Sequence, residues 1–97
     1  MSDELLAAAD HGDHRTLRSL LRRGVPVDFK DEYDNTALNL ALAGEYADAT
    51  QLLLDEGANV ELCTLDVTPL CLVARVGHVI GIKMLLAAGA NVNATKM

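Results

Sequence analysis

The chain has 97 residues, of which 51% are hydrophobic and only 3% aromatic, and its formal net charge is −6 at pH 7. This length suits one domain, the hydrophobic content excludes a disordered chain, and the negative charge argues against a nucleic-acid binder. No apolar run approaches the roughly 20 residues that span a bilayer. The N-terminus lacks the basic and apolar regions of a signal peptide, so we expect a soluble, unsecreted protein with no membrane partner.

Six short helices are predicted along the chain from their capping residues and their apolar content. Thr36 and Thr68 are suited to cap helix N-termini, and Pro69 suits a first helical position, where its missing N–H is not needed. The glycines placed to end the second, fourth and sixth helices are Gly24, Gly57 and Gly89. A core of Leu, Val, Ile and Ala favours packed helices over a β-sandwich. The predicted helices are residues 4–11, 14–23, 37–44, 47–56, 69–76 and 79–88.

The predicted helix pairs are three copies of one pattern. The motif Leu-Leu-x-x-Gly-x-x-Val begins at Leu20, Leu53 and Leu85, which are 33 and 32 residues apart. A second block, Thr36-Ala37-Leu38, is matched in the same register by Thr68-Pro69-Leu70. A fixed period of this length indicates an array of stacked repeats.

These blocks are similar to the ankyrin repeat. Thr68-Pro69-Leu70, the pair Gly77-His78 and residues 89–93 are close to the pattern of that family. The resemblance implies an all-α fold, an α-solenoid of three ankyrin repeats in which helix-turn-helix pairs are joined by β-hairpin-like loops. The chain is then a single ankyrin-repeat domain over residues 1–97, with repeats at about 3–28, 29–61 and 62–93 and the start of a further hairpin at 94–97.

The sequence also departs from the ankyrin pattern at several positions. The family places His after Thr-Pro-Leu, where it bridges neighbouring loops, and this chain has Leu6, Asn39 and Cys71 there, so we expect a weaker network between the loops. Glu45 stands where the family has a glycine between the helices. The second hairpin, residues 62–67, is one residue short and has no turn glycine, so we expect an irregular tip.

Gly81 lies within the last predicted helix. Glycine in a helix interior costs about 1 kcal/mol relative to alanine. We therefore expect Gly81→Ala to raise the stability by under about 1 kcal/mol if the site has room for a methyl group.

Catalytic and cofactor sites have no clear signal in this sequence. Asp10-His11-Gly12-Asp13-His14 has the composition of a metal site, but it spans a predicted inter-helix loop and has no supporting Cys or third His, so we favour a solvated loop. The glycines mark repeat boundaries and do not form a phosphate-binding loop. We therefore predict no enzyme activity, no cofactor and no metal.

Two further features concern location and charge. Cys63 and Cys71 form no disulfide framework, and their reduced thiols predict a cytoplasmic protein, with the nucleus as the other location. Arg15, Arg18 and Arg22 share one helix face. This face is either the polar outer surface of a terminal repeat or a site for a phosphate or an acidic partner.

The distribution of charge predicts the kind of partner. Residues 28–66 contain ten acidic residues against the single Lys30, a net charge of −9, whereas the flanking segments are neutral or basic. An acidic block of this kind favours a partner that carries a basic patch.

The resemblance implies a non-catalytic protein–protein interaction module that binds its partner through the concave face of hairpin tips and inner helices. The alternative is a regulatory inhibitor of a kinase or transcription factor acting through the same surface. Carried over to this chain, the candidate partner-binding residues are Asp10, His11, Lys30, Glu32, Tyr33, Asn35, Leu62, Thr64, Leu65, Val67, Arg75 and Val76. The exposed Tyr33 suits a binding hot spot because it combines area with a polar tip.

The third repeat carries apolar residues at positions where a terminal repeat should be polar. Val76, Val79 and Ile80 form this group. We therefore expect an exposed apolar C-terminal face. It would be covered by self-association or by a partner, unless the chain is the N-terminal part of a longer array.

Overall fold

The computed structural model describes residues 2–91, and these residues form six α-helices that match the predicted helices to within two residues at each end. The helices are α1 (Ser2–Asp10), α2 (His14–Arg22), α3 (Ala37–Ala43), α4 (Ala47–Asp55), α5 (Pro69–Val76) and α6 (Val79–Ala87). No helix in this part of the chain has the length and apolar character to cross a membrane. The all-α solenoid of three helix pairs is confirmed.

The six helices form two layers. The inner layer consists of α1, α3 and α5, which pack side by side in that order, and the outer layer of α2, α4 and α6, which do the same. Each inner helix also packs against the outer helix that follows it. The core lies between the layers, and its largest fully buried apolar side chains are Leu5, Leu17, Leu42, Leu53, Val73 and Leu85.

Local capping explains where the inner helices begin. Thr36 precedes α3 in extended conformation, and its Oγ1 accepts a hydrogen bond from the backbone N–H of Asn39 at 3.1 Å. Thr68 does the same for the backbone N–H of Cys71 at 3.1 Å. Each bond satisfies an N–H group that the helix itself leaves without a partner. Both capping predictions are confirmed.

The turn between α3 and α4 accommodates Glu45 in place of a glycine. Glu45 adopts the left-handed conformation, with φ of 59°, which a residue with a Cβ adopts only at a cost. Its carboxylate lies 3.6 Å from Nδ1 of the buried His78, which precedes α6. The exposed acid of the second repeat therefore contacts the turn of the third.

The condition set for a gain in stability from Gly81→Ala, that the site has room for a methyl group, is not met. A Cβ built on Gly81 would contact the imidazole of His78 closely, at 2.8 Å from Nε2, and would lie 3.0 Å from Cγ1 of Val73. Both neighbours are buried and packed, so neither can move without a cost. The glycine allows the ring of His78 to lie against α6.

Candidate functional site

A groove of about 220 Å³ lies between the two hairpin loops and the inner helices α3 and α5. Its walls combine aliphatic side chains with a few polar groups. The lining residues are Asn35, Asn39, Leu40, Ala43, Thr64, Leu65, Val67, Leu72 and Arg75. A mostly apolar concavity with convergent polar groups is the usual form of a binding site. We call these nine residues the groove.

One wall of the groove is the tip of the second hairpin, and this tip is regular. The backbone N–H of Thr64 donates to the carbonyl of Val67 at 2.9 Å, and that of Val67 donates to the carbonyl of Thr64 at 3.0 Å. The two residues between them, Leu65 and Asp66, have φ of 51° and 64°, as in the two-residue turns of β-hairpins. The expectation of an irregular tip is therefore wrong, because the shorter loop closes into a two-residue turn.

This turn presents Leu65 to solvent. The side chain is 72% exposed although it is aliphatic. Leucine in the left-handed region costs roughly 1 kcal/mol relative to glycine, so leucine at this position does not stabilise the turn. Leu65 therefore stands as an exposed apolar group at the rim of the groove.

The side-chain amide of Asn39 links α3 to the second hairpin within the groove. Its Nδ2 donates to Oγ1 of Thr64 at 2.6 Å and to the carbonyl of Leu62 at 3.3 Å. Oγ1 of Thr64 donates in turn to the carbonyl of Asp34 at 2.9 Å, which links the second hairpin to the first. The asparagine amide thus makes the bridge between loops that the family assigns to histidine, while its Oδ1 is buried without a hydrogen-bond partner among residues 2–91.

The first hairpin is held by the carboxylate of Asp31. Its Oδ1 accepts hydrogen bonds from the backbone N–H groups of Tyr33 at 2.8 Å and Asn35 at 2.9 Å, and its Oδ2 accepts from Nδ2 of Asn35 at 3.1 Å. Desolvation raises the pKa of Asp31, but these hydrogen bonds to the charged form outweigh it, so the pKa lies below its ordinary value of 3.8. The loop thereby fixes the position of Tyr33, which is 64% exposed.

Acidification should therefore loosen the first hairpin. Because the pKa of Asp31 is lower in the folded state than its ordinary value of 3.8, its contribution to stability is present above that value and is lost as the pH falls through the lower folded value. We expect wild type to be more stable than Asp31→Asn at pH 6, and the difference to shrink below about pH 4. Urea unfolding of both proteins at several pH values measures this. A difference that is independent of pH would contradict the role of the charge.

Five of the predicted partner-binding residues line the groove, and the others lie outside its lining. Those in its lining are Asn35, Thr64, Leu65, Val67 and Arg75. Lys30, Glu32 and Tyr33 are exposed on the first hairpin, and Leu62 is half-buried at the base of the second. Asp10, His11 and Val76 are exposed at the C-terminal ends of α1 and α5, outside the groove lining.

Four groove residues are not among the predicted partner-binding residues: Asn39, Leu40, Ala43 and Leu72. Leu40 and Leu72 occupy the same position of successive repeats, 32 residues apart, and both are half-buried although they are leucines. Asn39 is a polar residue inside an apolar helix. A comparison of the repeats position by position could have found the two leucines from their shared register.

Two of the candidate metal residues near the first turn, His11 and Asp13, have local hydrogen-bond partners. Asp13 caps α2, because its carboxylate accepts from the backbone N–H of Thr16 at 3.2 Å and from Oγ1 of Thr16 at 2.6 Å. Nδ1 of His11 lies 2.8 Å from the carbonyl of Ala7. Within residues 2–91, no group of three or more His, Cys, Asp or Glu side chains is placed to hold a metal ion.

The apolar residues of the third repeat lie at a turn and not on a stacking surface. Val76, Val79 and Ile80 are 60%, 58% and 59% exposed. The corresponding residues of the second repeat, Gly44, Ala47 and Asp48, are also exposed although the third repeat packs against the second. These positions therefore lie outside the contact between repeats. The predicted hairpin at 94–97 falls outside the described residues.

Comparison with known proteins supports the same architecture. The family model described as "Ankyrin repeats (3 copies)" matches residues 5–96. Human ankyrin repeat and KH domain-containing protein 1 is 42% identical over 66 residues, which is 67% of this chain and 2% of that protein. Ankyrin repeat domain-containing protein SAT10 of Stachybotrys chartarum is 37% identical over 95 residues, which is 97% of this chain and 5% of that protein.

A further relative is ankyrin repeat and KH domain-containing protein mask-1 of Caenorhabditis elegans, which is 36% identical over 93 residues, or 94% of this chain and 4% of that protein. The chain thus spans no more than 5% of the length of these three relatives. The likeness concerns the repeat array alone.

Proposed function

The chain belongs to the ankyrin-repeat family, whose repeats are generic protein–protein interaction modules, and on that premise we propose that it is a non-catalytic module that binds a protein partner through the groove. The observation that carries this proposal is the groove itself. It places an exposed leucine, Leu65, beside half-buried aliphatic side chains and between two loops that hydrogen bonds hold in place. Such a surface can bury an apolar side chain of a partner without first having to order its own loops.

The charge around the groove defines the partner further. The two hairpins that border it carry five acidic residues: Asp31, Glu32, Asp34, Glu61 and Asp66. The first hairpin adds Tyr33, which is suited to a hot spot. The partner segment is therefore one that places an aliphatic side chain in the groove and basic side chains next to the hairpins. A kinase or transcription factor that binds here through its functional surface would be inhibited, which an activity assay of the captured partner would test.

Substitution of the rim leucine tests the proposal. We expect Leu65→Asp to weaken binding to a peptide selected against the wild-type chain by at least about tenfold, because it puts a charge where an apolar side chain is buried. Val79→Asp is the matched control: Val79 is similarly exposed, lies outside the groove and begins α6, where an acid is tolerated. We expect this variant to bind within about twofold of wild type.

Tyr33→Ala should also weaken the binding free energy by more than about 1 kcal/mol, and added salt should slow association. Isothermal titration calorimetry and stopped-flow kinetics measure the two effects. Equal loss in Leu65→Asp and Val79→Asp, or no loss in either, would move the binding site away from the groove.

A further inference from the structure

A second surface of the chain has the chemistry of an anion site, and it shares no residue with the groove. A recess of about 450 Å³ lies over the exposed side of α2 and the residue that follows it. Every residue that lines it is polar, and four are arginines: His14, Arg15, Arg18, Ser19, Arg22 and Arg23. The volume falls in the range of about 300–1,000 Å³ that is usual for small-molecule sites.

The fold makes little use of these guanidinium groups. Within residues 2–91, Arg15, Arg18 and Arg22 have no side-chain hydrogen bond and no ion pair, and Arg23 acts on the Glu4 carboxylate through its charge. Arg15 and Arg18 are three residues apart, and Arg18 and Arg22 four apart, so like charges stand next to one another on the helix surface. This arrangement disfavours the helix, and it stands in a chain whose net charge is −6.

The repeat architecture does not require arginine at these positions. The second and third repeats carry different residues in the same register of the outer helix. Asp48 and Ile80 correspond to Arg15, Gln51 and Lys83 to Arg18, and Asp55 and Ala87 to Arg22. Only the outer helix of the first repeat therefore carries basic residues at all three positions.

The charge of the recess indicates the kind of ligand. Four guanidinium groups carry a charge of +4, whereas one phosphate monoester carries about −1.5 to −2 at pH 7. Each guanidinium group can bind phosphate in a bidentate manner. The side chains of His14 and Ser19 add polar groups within the same recess. The recess thus suits a molecule that carries two or more phosphate groups.

We propose that this recess binds a small soluble molecule that carries several phosphate groups. A membrane-surface site would combine basic with apolar or aromatic side chains, and the lining of the recess has none. A site for single-stranded nucleic acid would offer an aromatic ring for base stacking, which is also missing from the lining. The polar recess therefore favours a polyphosphorylated small molecule over either surface.

Calorimetric titration with inositol hexakisphosphate and with tripolyphosphate, at low and at physiological salt, tests the proposal. We expect saturable one-to-one binding that weakens as salt rises, and a loss of at least about tenfold in Arg18→Gln/Arg22→Gln. Lys83→Gln is the control, since it removes a positive charge at the matching position of the third repeat. We expect it to bind within about twofold of wild type. Arg18→Lys/Arg22→Lys should fall between these two, because it keeps the charge and loses the bidentate geometry.

The same titrations define the results that would overturn the proposal. One is the absence of saturable binding by either probe, and another is an equal loss in the Arg18→Gln/Arg22→Gln and Lys83→Gln variants, which would indicate diffuse attraction. Binding to vesicles that contain a phosphoinositide, with no binding to the soluble probes, would assign the surface to membranes. Because none of the substituted side chains belongs to the buried core, circular dichroism should show an unchanged fold.

Discussion

Leu42→Ala is expected to lower the free energy of unfolding by about 3 kcal/mol, well beyond the effect of a surface substitution. Leu42 is 0% exposed and belongs to α3, which packs against α1, α4 and α5. The substitution removes buried surface and leaves a cavity that the neighbouring helices cannot fill by moving together. Because α3 contacts the repeats on both sides, a loss at this position should affect the whole array.

This loss is large compared with the total free energy of unfolding of the domain. A domain of this size has a stability near the low end of about 5–15 kcal/mol, so Leu42→Ala should lower the midpoint of thermal unfolding by about 15 °C. Leu65→Ala is the control, because it makes the same change at a side chain that is 72% exposed. We expect that control to stay within about 0.5 kcal/mol of wild type. Equal effects of the two substitutions in urea and thermal unfolding would show that the core is not where the structure places it.

Gly81→Ala is expected to destabilise the protein by about 1 kcal/mol, although alanine is the better helix former. The new Cβ would approach the ring of His78 and lie 3.0 Å from Cγ1 of Val73. Overpacking of this kind costs about 1–3 kcal/mol, which exceeds the gain of about 1 kcal/mol from helix propensity.

A double-mutant cycle identifies the cause of that loss. In a His78→Ala background the ring is absent and Val73 is the remaining close neighbour, so Gly81→Ala should destabilise less, and the two substitutions should couple by about 1 kcal/mol. Urea unfolding of the two single variants and the double variant gives this coupling. Additive effects would show that the ring of His78 is not the obstacle.

The features that the sequence predicted well are those that depend on neighbouring residues. The caps at Thr36 and Thr68 need only the N–H group three residues ahead, and the helix ends follow from glycines next to them. The repeat register also predicted which helices pack together, because residues 32 or 33 apart must occupy equivalent places in a stacked array.

The features that the sequence did not predict depend on contacts made across the fold. Asn39 was expected to weaken the loop network, yet its partners Leu62 and Thr64 lie more than 20 residues away. Whether Gly81 has room depends on the position of the His78 ring. The tip at Leu65 could not be derived from turn preferences, which disfavour leucine in the left-handed region, because the two closing hydrogen bonds decide the turn.

The candidate groove illustrates both cases. The exposed hairpin residues Leu65 and Tyr33 were predicted from their positions in the repeat. The leucines of α3 and α5 that line the groove were not, because leucine in an inner helix is expected to be buried. They are only half-buried because both line the groove.

One measurement tests the central claim most directly, namely that the groove is the surface that binds a protein partner. Amide and side-chain NMR signals of the labelled protein would be followed while a peptide selected against it is added. We predict that the largest shifts occur at the Asn39 side-chain amide and at Thr64, Leu65 and Arg75, with little change on α2, α4 and α6. Shifts confined to the outer helices, with the groove signals unchanged, would contradict the claim.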